Sequence, residues 1–566
     1  MFSKGKNTKL IMIFAGIAVV VIGIIILGIT LTKDVGKSSE AISVEKATQE
    51  LNDLYKNVSV NVLPPQSVPL TDLGKPDVGE TLPSIDKYPP QVENTTESFV
   101  EIFSSTEKAG TNKDGWLNEI ANQFNNAGIQ VNGRPISVRI RGIASGIGMD
   151  YIVSGNYVPD AFTPSNELWG RMIEAQGTPI KMIDKRLVGN VPGILLSNAK
   201  QDELVKKYGA INLKTITEAV ANNDLAMGYT NPFASSTGLN FLVSTLVTFD
   251  SKNPLGPKAV NEFEKFQANI PFVAYTTIQM RDSALSGALE GFVMEYQTYF
   301  NSADLFSSYV FTPFGVRHDS PLYEIGNLTS EKKEILQKFN DFCKSANSQQ
   351  LGTDYGFNKL DSYKPAIAAP SGSIITSAQK LWKEKKDASK PISAVFCADV
   401  SGSMGGDALM KLKESLLKGS QYIGKDSSVG LVSFSNDVNI NLPIGKFDLT
   451  QRSLFAGAVE SLEASGQTSM FDAIVVAMKM LIDEKAKKPN SKLMLFVLSD
   501  GESNKGSGFD DLQNILKAFK IPVYTIGYNK DISVLQRLSS INEAASINAE
   551  SDDVIYKLGS LFNAQM

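Results

Sequence analysis

The sequence is poor in the side chains that most often carry covalent or metal chemistry. Its 566 residues include two cysteines and one histidine. Cys343 and Cys397 are too few for a disulfide framework, and both read as small core residues. His318, standing alone, excludes a His-based zinc site and a His-dependent triad, and reads as a structural loop residue. No dense Lys/Arg block is present and the formal charge is only −5, which argues against a nucleic-acid partner. No nucleophile has an activating neighbour, so the chain is not read as an enzyme.

One long apolar run is present. Leu10–Leu31 carries no charge, and about 20 such residues cross a bilayer. Lys4, Lys6 and Lys9 precede it, which puts residues 1–9 in the cytoplasm, an anchor at 10–32 and the rest outside. A cleaved signal peptide would have a shorter apolar core followed by small residues, and this run has neither. From 33 to 97, prolines from Pro64 to Pro90 interrupt a polar stretch after one helical patch near Val44–Tyr55. Proline fixes φ and breaks helix and ladder alike, so this segment reads as an extended extracellular spacer. No internal repeat or coiled coil is evident.

Residues 98–382 alternate strands and helices. Ser98–Phe103 reads as a strand ending in Ser104-Ser105-Thr106, followed by a helix at Gly115–Asn126. Ile136–Arg141 reads as the next strand, Ser145-Gly146 opens a helix, and Pro159–Ser165 is a third strand and loop. The order βαβαβ implies a parallel sheet with its loops gathered at the strands' carboxyl ends. Small hydroxyl residues recur in these loops: Ser105, Ser145, Thr163, and downstream Ser235, Ser236 and Thr237. With backbone N–H groups at helix N-termini they would hold an anion, although Ser and Thr are also ordinary helix caps.

The order FSSTEK, SG, PDAFTPSNELW and GYTNPFASSTGLNF resembles that of extracellular solute-binding proteins of the two-lobed, type II periplasmic-binding class. The resemblance implies that Ser105, Ser145, Thr163, Ser235, Ser236 and Thr237 line a ligand cleft between two α/β lobes, holding a small solute or oxyanion.

A charged, turn-prone linker is expected at 383–391, and a second α/β unit at 392–566. The strand Ile392–Ala398 runs into Asp399-Val400-Ser401-Gly402-Ser403, and Lys492–Ser499 into Asp500. Strands this apolar are covered on both faces, as in a doubly wound, Rossmann-like sheet. Asp399 and Asp500 at strand ends, with Ser401, Ser403 and Thr468, offer two carboxylates and three hydroxyls, the hard oxygen donors that Mg²⁺ takes.

The set DVSGSM, GQTSMFDA and LSDGE is similar to von Willebrand factor type A domains with a metal-ion-dependent adhesion site. That resemblance implies a divalent cation (Mg²⁺, or Mn²⁺ or Ca²⁺) held by Asp399, Ser401, Ser403, Thr468 and Asp500, with Asp472 behind them. It also implies that an acidic side chain of a protein partner completes the shell. The expected protein is therefore α/β throughout after one transmembrane helix: a bacterial, single-pass cell-surface binding protein joining a solute-binding module to a Mg²⁺-dependent protein-interaction module. The alternative is a substrate-binding accessory of an ABC-type transporter or an anion-resistance system.

Overall fold

The computed structural model describes residues 42–64, 66–70, 78–270, 272–274, 280, 289–387, 390–501, 503–528, 532–541, 546–548 and 553–566. The expected tail 1–9 and anchor 10–32 lie outside the described residues; among the described residues no helix is long and apolar enough to cross a membrane.

The carboxy-terminal unit is built on a seven-stranded sheet. Its strands run in the order Val60–Val62, Val438–Lys446, Ser428–Phe434, Ile392–Asp399, Lys492–Ser499, Val523–Gly527, Ser546–Asn548. All neighbouring pairs are parallel except 438–446 against 428–434. Side chains alternate across a strand, so the central strand feeds two cores. Ala394, Phe396 and Ala398 pack under the helices Asp407–Gly419, Leu449–Glu460 and Val554–Gln565. Val395 and Cys397 pack on the opposite face under Met470–Lys487 and Phe509–Phe519. Both cysteines are free and buried.

The reading of 33–97 as an extended spacer fails for its first described part. Helix Val44–Lys56, capped by Ser43, buries Ala47 and Leu51 in the second of these cores, against helices 470–487 and 509–519. Strand Val60–Val62 then adds to the sheet edge beside Val438–Ile440. Further along, the Val68 carbonyl accepts from Ser453 Oγ at 2.5 Å. The helical stripe and the β-branched residues find an apolar face and an open edge to cover, and that burial outweighs the polar character of the segment.

The middle unit has two sheets. One is ordered 130–131, 134–142, 98–104, 161–163, 322–325, 180–184; the other 309–313, 192–197, 291–295, 227–230, 272–274. The 134–142, 98–104 and 161–163 strands are parallel as expected, whereas 322–325 and 192–197 run antiparallel to their neighbours. Two lobes result, with chain crossings near 190 and 318.

The described residues of the expected linker 383–391 begin as the end of a helix and turn at Lys386-Asp387, where Lys386 is buried. Helix Gly372–Lys385 packs on helix Glu167–Ala175 of one lobe and on Ser236–Phe249 of the other. Gln379 Nε2 donates to the Pro232 carbonyl at 2.9 Å, and Trp382 Nε1 to the Tyr229 hydroxyl at 2.6 Å. The same helix reaches the carboxy-terminal unit: Lys383 Nζ donates to the carbonyls of Phe562 and Asn563 at 3.2 and 2.7 Å, closing the last turn of helix 554–565. Lys386 is buried because Asp387 Oδ2 lies 2.8 Å from its ammonium.

Candidate functional site

Adjacent parallel strands bring the two acidic strand ends together. Ala398 pairs with Leu498, so the next residues, Asp399 and Ser499, leave the sheet side by side. Asp399 is fully buried; its Oδ1 accepts from Ser401 N at 2.9 Å and its Oδ2 from Ser499 Oγ at 2.6 Å. Burial pushes its carboxyl up to about 6 against the pull of those bonds, and the nearby Asp500 charge adds to the rise. Among the described residues no Lys or Arg pairs with Asp399.

The remaining residues are held by backbone ties between loops. Ser465 N donates to Val400 O at 2.8 Å, and Gly402 N to Gly466 O at 3.0 Å, seating loop 465–468 on loop 399–403. Gly466 takes φ +79°, where a side chain would be strained and would run into Asn436. Asn436 Oδ1 in turn accepts from Gln467 N at 3.0 Å. Thr468 is clamped to the third loop: its N–H donates to Asn504 Oδ1 at 2.9 Å, and its carbonyl accepts from Asn504 N at 3.0 Å. Asp472 sits behind, its Oδ1 accepting from Ser507 N at 2.9 Å, so it braces the 503–508 loop. Ser401 and Ser403 hydroxyls face each other at 3.0 Å.

Asp399, Ser401, Thr468 and Asp500 are buried, whereas Gly402, Ser403 and 465–467 form an exposed rim. Among the described residues no group of three or more His, Cys, Asp or Glu is placed to hold a metal. The donors here are of another kind: two buried acids of like charge, Asp399 with no Lys or Arg pairing it among the described residues, and the hydroxyl-bearing Ser401, Ser403 and Thr468 on the loops tied beside it. That chemistry fits a hard dication. Sequence reasoning missed Ser499, Asn436 and Asn504 as supports. Ser499 was legible as the residue before Asp500 on an apolar strand; the two asparagines gave no signal.

The hydroxyls expected to line a cleft divide. Ser235 is a cap: its Oγ accepts from Gly238 N at 3.4 Å and from Thr230 Oγ1 at 2.8 Å. Ser105, Ser145, Thr163, Ser236 and Thr237 are buried along the seam between the lobes. Ser236 Oγ donates to Ser145 Oγ at 3.2 Å and accepts from Trp169 Nε1 at 2.8 Å. The seam also holds charged residues that the sequence reading did not place there: Lys108, Glu107 and Glu295. His318, expected in a loop, is buried there too, 2.7 Å from Glu295 Oε1.

Residues 394–563 match the family model of the von Willebrand factor type A domain. The inter-alpha-trypsin inhibitor heavy chain H3 of Bos taurus is 28% identical over 154 residues, covering 25% of this chain and 17% of that protein. The chain thus spans about a sixth of the length of that curated relative. Among solved structures, a von Willebrand factor type A protein from Catenulispora acidiphila aligns at 17% identity and TM-score 0.28, over 31% of this chain and 42% of that one. The substrate binding domain of a putative molybdenum ABC transporter from Clostridium difficile aligns at 11% identity and TM-score 0.30, over 47% of this chain and 100% of that one. The chain is an α/β protein with a von Willebrand factor type A domain at its carboxy-terminal end and solute-binding-like structural neighbours.

Proposed function

We propose that this protein is a membrane-anchored, extracellular binding protein that captures a protein partner through a divalent cation, Mg²⁺ by preference. Asp399, Ser401, Ser403, Thr468 and Asp500 would hold the ion, and Asp472 would fix the loop behind it. The bound ion supplies an open coordination position for an aspartate or glutamate of the partner. The protein's own groups do the rest: Ser499 and the Ser401 amide orient Asp399, and the exposed rim at Gly402–Ser403 and 465–467 admits the partner. The observation that carries the reading is the convergence of three loops around a buried carboxylate that no Lys or Arg of the described residues pairs with. No enzymatic role is proposed.

The test is capture of partners by the full chain with and without Mg²⁺, beside Asp399→Ala. Capture that depends on the ion and on Asp399 supports the reading; capture indifferent to both rejects it.

A further inference from the structure

A cavity of about 580 Å³ lies where the middle unit meets the carboxy-terminal one, a size typical of small-molecule sites. Lys492 and Pro522 line it, which places it at the starting ends of strands 492–499 and 523–527. The metal-site residues Asp399 and Asp500 stand at the opposite ends of the sheet. Ile270, Val273 and the turn Lys386-Asp387 form one wall, and Phe519 and Tyr524 belong to the other. The two walls are tied together: Gln565 Oε1 accepts from the Tyr524 hydroxyl at 2.8 Å, and its Nε2 donates to the Val273 carbonyl at 3.4 Å.

Lysine dominates the charged part of the lining. Lys386, Lys390, Lys485, Lys492 and Lys520 stand against one acid, Asp387. Asp387 Oδ2 lies 2.8 Å from the ammonium of the buried Lys386, and its Oδ1 lies 3.1 Å from that of Lys492. One carboxylate therefore serves two cations. Lys485 Nζ donates to the Ser491 carbonyl at 2.6 Å. Among the described residues no carboxylate pairs with Lys390, Lys485 or Lys520. The residues that interrupt this lining in the sequence, Pro271, Ala388 and Ser389, carry no charge.

Helix ends account for part of that charge. Helices 257–267, 372–385, 470–487 and 509–519 all finish at this wall, and each C-terminal end carries about half a negative charge. A further helix end, that of 554–565, is already closed by Lys383. Against the four ends and Asp387, the five ammonium groups leave an excess of about two positive charges. Lys520 takes φ +53° in the left-handed position after helix 509–519, so a cation occupies a place that glycine would fill without strain.

We propose that this cavity binds a small phosphate monoester. The dianion matches the excess of positive charge, with Lys390 and Lys520 supplying ammonium groups from the two walls. The organic group of the ester lies against the apolar part of the lining, Ile270, Val273, Phe519 and Tyr524. Inorganic phosphate would leave most of the volume unfilled. Because both units contribute, the bound ester joins them at a place remote from the metal site, and its binding needs no metal.

Calorimetric titration of the full chain in EDTA decides it. Phenyl phosphate is expected to bind saturably, inorganic phosphate about tenfold more weakly for want of the apolar group, and phenol not at all. Lys390 and Lys520 are exposed, so replacing both by Gln spares the fold; the double variant should bind phenyl phosphate at least about tenfold more weakly. Lys206→Gln, at an exposed position on helix 198–208 of the middle unit, should bind it as the wild type does. A wild type that gives no saturable heat with phenyl phosphate would overturn the proposal. So would full binding by the double variant, or phosphate held as tightly as its phenyl ester, either of which would mean an adventitious ion only.

Discussion

Ser499 Oγ donates to Asp399 Oδ2 at 2.6 Å, joining the ends of two strands that are neighbours in space and 100 residues apart in sequence. The same hydroxyl accepts from Gly501 N at 3.1 Å, so one serine sets both the buried carboxylate and the turn carrying Asp500. Ser499→Ala is expected to keep the fold and to weaken divalent binding by about 10–100-fold, as loss of a group behind a ligand typically does. Calorimetric titration with Mn²⁺ measures it directly.

Asp399 also sets a pH dependence. Its folded carboxyl is raised to about 6, above the ordinary 3.8, chiefly by burial. Without metal, the folded state holds the proton more tightly than the unfolded one. That contribution to stability is complete below the unfolded value and is lost as pH rises through about 6. With metal the sign reverses, because the ion competes with the proton. The melting-point gain from Mg²⁺ should therefore be small at pH 5 and full by about pH 7.5. A gain equal at both values would contradict this.

The amino-terminal arm is part of the carboxy-terminal core. Deleting residues 42–62 removes helix 44–56 and an edge strand, exposing the apolar faces of helices 470–487 and 509–519. A fragment beginning at residue 98 is expected to aggregate or melt well below the full chain. Leu51→Ala in the full chain should cost about 2–5 kcal/mol by denaturant unfolding.

Contact across the lobes rests on the absence of a side chain at 146. Gly146→Ala places a methyl against the Phe233 carbonyl, for which overpacking typically costs about 1–3 kcal/mol. Small-angle scattering should show an enlarged radius of gyration. Unchanged dimensions and melting would mean that the lobes do not meet there.

What the sequence made legible is local chemistry on apolar strands. Lys492–Ser499 has the same bounds as a reading of its hydrophobic run and Ile392–Ala398 extends only to Asp399, and Asp399 and Asp500 stand out because a carboxylate ends each run. Pairings between distant segments were not legible. Val60–Val62 is too short to announce a strand, and its partner lies 378 residues away at Val438. Nothing local in the sequence marked Lys108 and Glu295 as the buried charges they are in the fold. The Lys-rich run after Trp382 looked like a linker for the same reason: nothing local shows that Asp387 neutralises Lys386 or that Lys383 closes another unit's helix.

The central claim is that oxygens of Asp399, Ser401, Ser403, Thr468 and Asp500 hold one dication. Anomalous diffraction from crystals of the full chain grown with Mn²⁺ tests it most directly. One peak is expected about 2.0–2.3 Å from these oxygens or from waters bound to them. A well-ordered crystal without a peak there, or with manganese only elsewhere, would contradict the account.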